Sequence, residues 1–187
     1  MVLKRVVAYF IDILVVVFAS SMLASISYLN PQLDKYNKVY NEYIEKYESL
    51  EFNNIDQNEL RDINYQLDRS NIYGATISVV LTLLYFVVFQ KYNNGQTLGK
   101  KLMKIKVDGN LSLFKYFIRT IILSNSIINV LKIAFILILS KEKYILISNV
   151  LYVLALLIEV TIIIMVTMRK DNRGLHDIVV GSNVIAI

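Results

Sequence analysis

Apolar runs of membrane length, interrupted by short charged breaks, set the layout of the chain. Val6 to Leu29, Ile72 to Phe89 and Tyr144 to Met168 are each close to or above the roughly 20 apolar residues that cross about 30 Å of hydrocarbon. The apolar stretch from Leu111 to Leu139 is too long for one span. It reads as an interfacial amphipathic segment from Leu111 to about Arg119, then a span from about Thr120 to Leu139. The pattern predicts an all-α membrane protein with four transmembrane helices, at about 6–29, 72–89, 120–139 and 144–168. Asn30-Pro31 is expected to end the first, because proline disfavours helix at the residue before it.

Between the first two spans the pattern changes. Tyr36, Tyr40, Tyr43, Tyr47 and Leu50 recur at heptad spacing, and Leu60, Ile63 and Leu67 form a second stripe. Asn53 and Asn54 mark a turn between the stripes, and Asp56 with Glu59 reads as a capping box. The prediction is an antiparallel helical-hairpin insertion over 30–71. Its second arm meets no breaker before Ile72 and is expected to run on into the second span. A basic loop with the interfacial helix fills 90–119, and a tail follows from 169 to 187. The alternation from Ile178 to Ile187 suits an extended strand, an interfacial segment or a segment packed on the helix ends.

Composition and charge sharpen this layout. At 56% hydrophobic residues and a mean hydropathy of +0.50, the chain is too apolar for an ordinary soluble domain. One side collects Lys4, Arg5, the basic residues of 90–119, and Arg169, Lys170 and Arg173, whereas the loop 30–71 is acidic on balance. The positive-inside rule then places both termini and the basic loop in the cytoplasm and the hairpin outside, in a multi-pass plasma-membrane protein. The net charge of +5 is explained by this asymmetry, so nucleic acid is not an expected partner. The expected partners are the lipid bilayer and anionic lipid headgroups beside the basic loop, with a homo-oligomer or protein partner left open. The basic, apolar N-terminus is expected to stay as the first span and not be cleaved, because Asp12 interrupts it and it is long for a signal peptide. With tryptophan absent, Tyr28, Tyr92 and Tyr144 are the expected interfacial anchors.

Candidate chemistry rests on polar groups inside apolar helices. A carboxylate at mid-span costs about 2.5–3.5 kcal/mol on insertion scales, so Asp12 needs a reason to be there. Arg5 shares its helix face but leans toward the N-terminus and lies about 10 Å away along the axis. Asp12 therefore needs a partner from elsewhere, a wet cavity or a proton, and Arg5 has Asp177 as a candidate partner. Asn125, Asn129 and Lys132 lie at spacing four and three on one face of the third span, flanked by Ser124 and Ser126. Glu159, beside Thr161 in the fourth span, would pair with Lys132 or Arg119. Asp12, Asn125, Asn129, Lys132 and Glu159 form a candidate ion path for protons or small cations. The alternative is a set of structural ion pairs and interhelical hydrogen bonds. Gly95-Gln-Thr-Leu-Gly99-Lys100 is not a phosphate loop: its glycines are one residue too close and Lys101 follows the lysine. No cysteine is present and His176 is the single histidine, which excludes thiolate and histidine-cluster metal sites and disulfides. No nucleophile–base pair or cofactor loop is visible, so no enzyme activity, catalytic residue, metal or cofactor is expected.

Three blocks carry a family resemblance. They are Lys4-Arg5-Val-Val-Ala-Tyr-Phe-Ile-Asp12, Gly95-Gln-Thr-Leu-Gly-Lys-Lys-Leu-Met-Lys-Ile-Lys-Val107, and Arg173-Gly-Leu-His-Asp177 with Val180-Gly-Ser-Asn-Val184. In these the chain resembles the RDD family of small bacterial membrane proteins, named for one arginine and two aspartates. The resemblance marks Arg5, Asp12, Gly95, Thr97, Gly99, Lys100, Arg119, Arg173, His176, Asp177 and Gly181 as motif positions. Ser182 stands where threonine is more usual, and the tyrosine-rich hairpin lies outside the family pattern. The resemblance implies transport, with cation/proton antiport proposed for some members. The leading expectation is a small transporter of protons or monovalent cations, with Asp12 as the protonatable site and Arg5 with Asp177 as a lock. The alternative is a non-catalytic membrane scaffold, or a modulator of a partner protein through the hairpin.

Overall fold

The computed structural model describes residues 1–49, 57–109 and 111–187. Helix α1 spans Val2–Ala24 and buries Ala8, Asp12, Val16 and Ser20, a four-residue repeat that lays one face on its neighbours. It stops short of the Asn30-Pro31 breaker. The Asn30 side-chain amide donates to the Ala24 carbonyl at 3.0 Å, which satisfies a helix-end acceptor and turns the chain early. The expected span 6–29 is therefore shifted toward the N-terminus.

Helices α2 (Leu33–Ser49) and α3 (Gln57–Ser70) lie side by side, with Lys46 paired to Glu59. Val39 of α2 and Ile63 of α3 are buried, while Tyr40 turns outward and stacks on Tyr36. The expected Asn53–Asn54 turn, Leu50 and the Asp56 end of the capping box lie outside the described residues. After a one-residue turn at Asn71 the chain enters α4, Ile72–Tyr92. Its segment Leu84–Phe89 widens into π-helix, a local change that often marks functional positions.

A short helix, α5 (Leu98–Leu102), and strand β1 (Ile105–Asp108) follow. Helix α6 runs Leu113–Ser124 and α7 runs Ser126–Ile138, with a 75° bend between them. This corrects the expected boundary: the break falls at Asn125, not near Arg119. Asn125 adopts the left-handed conformation (φ 50°), which asparagine tolerates better than most residues. With 13 residues, α7 reaches only about 20 Å, so it is shorter than the hydrocarbon layer by itself. The long helix α8 (Lys141–Met168), the short α9 (Leu175–Val180) and strand β2 (Asn183–Ala186) complete the chain.

Three helices are long and apolar enough to cross a membrane, and four if the bent pair counts as one span. The fold is mostly helical but not all-α. Strands β1 and β2 pair antiparallel, with Ile105 opposite Ala186 and Val107 opposite Val184. Ile105, Val107 and Val184 point inward with Ala8, Val87, Leu111, Tyr116 and Val180, forming a core beneath the helix ends. Of the three readings open for the tail, the last turn of helix and the strand pairing decide. The alternation Ile105-Lys106-Val107-Asp108 is the period-two signal for β1.

The hairpin is tied to the other end of the bundle. Tyr144 donates to Asp68 at 2.7 Å, and Lys132 and Lys141 pair with Asp68 and Asp62. Tyr28 and Tyr92 are exposed as expected of anchors, but Tyr144 is buried against this contact and is not one.

Candidate functional site

Loop, tail and helix ends converge on two carboxylates, each with no exposed surface. The first is Asp12. Its Oδ1 accepts from the Tyr85 hydroxyl at 2.7 Å and from the Gly99 N–H at 2.8 Å, and its Oδ2 accepts from the Thr97 hydroxyl. The Lys100 ammonium lies 3.6 Å from Oδ2. Every one of these neighbours is a donor or a cation, the set that satisfies a buried carboxylate. Tyr85 comes from the π segment of α4. The other three come from the start of α5, where Thr97 is the N-cap. Gly99 is required by contact: a Cβ there would stand 2.1 Å from the Ala8 carbonyl oxygen. The loop helix thus sits directly on the backbone of α1, with its N-terminal amide aimed at the carboxylate.

The second carboxylate is Asp177, in α9. Its Oδ1 accepts from Arg119 Nε and Nη2 at 3.1 and 3.0 Å and from the Ser182 hydroxyl at 3.1 Å. Its Oδ2 pairs with Arg5, which also donates to the Asn172 carbonyl. Burial alone would raise the Asp177 pKa, but Arg119, His176 and Arg5 outweigh it and hold the carboxyl well below the usual range. Asp177 joins α1, α6 and the tail through one side chain. Ser182 keeps the hydroxyl that threonine would supply, so that departure changes no hydrogen bond.

Between these two lies Lys100. Burial and then the Arg119 charge lower its pKa to about 7, against the opposing pull of Asp12. Its ammonium lies over the Phe86 ring, 5.5 Å from the centroid. His176 is pushed to about 3, first by burial and then by Arg119. It is therefore neutral at pH 7, and its 3.4 Å approach to Asp177 is a polar contact, not an ion pair.

Protonating His176 favours the unfolded chain, because its folded pKa lies below the ordinary 6.5. Its contribution to stability is complete above pH 6.5 and is lost as the pH falls toward 3. We expect the melting temperature in detergent to drop on acidification from pH 6.5 to 5, and His176→Gln to flatten that drop. A variant with an unchanged slope would contradict this assignment.

Lys100 also lines a cavity of about 440 Å³ between α1 and α8, together with Arg5, Arg119, His176 and Glu159. Asp12 sits behind Lys100. The five residues of the expected ion path do not form one row. Lys132 pairs with Asp68 at the hairpin end, and Asn129 is exposed. Glu159 pairs with neither Lys132 nor Arg119; it accepts from the Asn125 amide at 2.9 Å. The spacing argument fails because Asn125 sits at the helix break with its side chain buried, whereas Asn129, one turn on, is exposed. Ser124-Asn125-Ser126, three weak helix formers inside an apolar run, is the sequence signal for that break.

Among the family-motif positions, Thr97, Gly99 and Lys100 surround Asp12, and Arg119 and His176 surround Asp177. The Gly95 carbonyl accepts from the Gln90 amide at 3.2 Å and from Val107 N–H at 3.0 Å, linking α4 to β1. Arg173 reaches the Asp177 carbonyl at 3.4 Å, and Gly181 caps α9. Sequence reasoning does not find Tyr85 or Asn172. Nothing in the spacing of an apolar helix marks Tyr85 among the other tyrosines.

Fold and site together define a small helical membrane protein in which a basic loop and a folded tail lock the helix ends through two buried aspartates. The chain belongs to the RDD family, whose sequence model matches residues 1–181. No curated protein and no solved structure matches it.

Proposed function

We propose that this RDD family protein exchanges protons for monovalent cations across the plasma membrane, without enzymatic chemistry. In this reading its termini and basic loop face the cytoplasm, by the positive-inside rule. The observation that carries it is the enclosed Asp12–Lys100 pair at the inner end of the α1–α8 cavity. Lys100, with its pKa near 7, releases its proton close to neutral pH. Asp12 is then left without its ammonium neighbour. A small cation takes that place against the Asp12 carboxylate and the Thr97 hydroxyl, oxygen donors suited to a hard ion. One proton leaves Lys100 for each cation that enters. The other charged groups around Lys100 are Arg119 of α6 and Asp177 of α9, which pair with each other, and Arg5 of α1. His176 is neutral, and Tyr85 and Phe86 of α4 complete the surroundings.

The test is cation-driven proton flux in proteoliposomes. The parent is expected to show it. Asp12→Asn should reduce it to background while the protein still elutes as a folded species. Lys100→Arg, which stays charged, should remove the pH dependence near 7. No flux in the parent would refute the exchange reading, and unchanged flux in Asp12→Asn would remove Asp12 from it.

A further inference from the structure

The cavity between α1 and α8 has a second property. Its upper walls are apolar: Val6 and Ile13 from α1, Ile162 and Ile163 from α8. Val6 and Ile163 are 56% and 61% exposed, so the groove is reached from the side, at the level where lipid chains surround the spans. Its floor is charged and built. Arg119 is 2% exposed and Lys100 7%, and both are held from behind by Asp177 and Asp12.

The charges at this floor do not balance. Arg5, Lys100 and Arg119 stand against Asp12 and Asp177, three cations against two carboxylates, with His176 neutral. Mutual repulsion is already felt, since the Arg119 charge disfavours the Lys100 ammonium. An anion at the floor relieves it. Glu159 lies seven residues from Val166, about 10 Å further along α8, with Asn125 on its carboxylate. It opposes an anion drawn deeper, so the charge pattern fixes a polarity: anionic head at the floor, chain along the helices.

We propose that the α1–α8 groove is a binding site for an anionic phospholipid of the bilayer, its phosphate on Arg5, Lys100 and Arg119 and an acyl chain between Val6, Ile13 and Ile163. The occupant is a lipid and not a soluble anion, because the opening is lateral and its walls are apolar. This site differs from general headgroup contact with surface lysines, since its cations are buried and it takes one molecule.

The test uses the full chain in non-ionic detergent, read by native mass spectrometry and by melting temperature. Phosphatidylglycerol and phosphatidylcholine of identical chains are compared. Phosphatidylglycerol is expected to remain as a single adduct and to raise the melting temperature, and phosphatidylcholine is not. Ile163→Trp fills the groove at an exposed position and should weaken phosphatidylglycerol retention roughly tenfold. Val6→Trp should do the same from the facing wall, and serves if the first variant fails to fold. Leu146→Trp, on the same helix near the hairpin, should leave retention unchanged. Equal retention of both lipids would overturn the proposal. So would full retention in both groove variants, an equal loss in Leu146→Trp, or a second copy of the chain in place of the lipid. None of these readouts depends on flux, so failure of the exchange reading leaves this result standing.

Discussion

Asp177→Asn is expected to be the most damaging single substitution in the chain, destabilising it by about 3–5 kcal/mol. The reason is what the carboxylate leaves behind. Arg119 is buried and Arg5 nearly so, and Asp177 is the carboxylate paired with both among the described residues. An amide supplies one acceptor oxygen but no charge, so two guanidiniums stay desolvated without a counterion. Domains are commonly stable by only about 5–15 kcal/mol, so a loss of this size removes much of the folded population. The measurement is folded yield from membranes and melting temperature in detergent. A double-mutant cycle with Arg119→Gln adds a stricter check, because groups in contact couple. The double variant should cost clearly less than the sum of the two singles. Additive costs would show that Arg119 and Asp177 do not act on each other as the geometry requires.

Gly99→Ala is the second large effect, expected at about 3 kcal/mol. The added Cβ would meet the Ala8 carbonyl oxygen at 2.1 Å, a backbone atom that no rotamer change moves. Overpacking of this kind costs about 1–3 kcal/mol. Lifting α5 from α1 also stretches the Gly99 N–H bond to Asp12, and a hydrogen bond to a charged group is worth about 1.5–3 kcal/mol. Gly181→Ala is the control. Gly181 has a positive φ of 73° but open space around it, so only the left-handed backbone is penalised, by about 1–2 kcal/mol. Melting temperatures for the two variants should separate clearly. Equal losses would mean that the close approach of α5 to α1 does not carry the weight given to it here.

Much of the architecture was legible because hydrophobic burial leaves a periodic trace. Three apolar runs became α1, α4 and α8, since a membrane-length run has few other outcomes. The two stripes in 30–71 fall in α2 and α3 for the same kind of reason. Side-chain direction in a helix also predicted that Arg5 leans away from Asp12, and in the fold Arg5 meets Asp177. Local signals for the rest were present but weak. The break at Asn125 sits in a three-residue polar cluster, and β1 shows its alternation over only four residues. Such short signals are easily outweighed by the apolar run or basic loop around them.

What the sequence by itself determined was the set of long apolar helices and the carboxylates inside them that need a partner, Asp12 and Glu159. Periodicity and the cost of desolvation are local properties, so they can be read one segment at a time. Only the tertiary structure decided the pairings. Asp12 draws its donors from residues 73 to 87 positions away, and Asp177 draws its guanidiniums from 58 and 172 positions away. A buried carboxylate demands donors, but any segment can supply them. Which segments do so depends on where α5 lands on α1 and where the tail folds against α6, and those are properties of the packed whole.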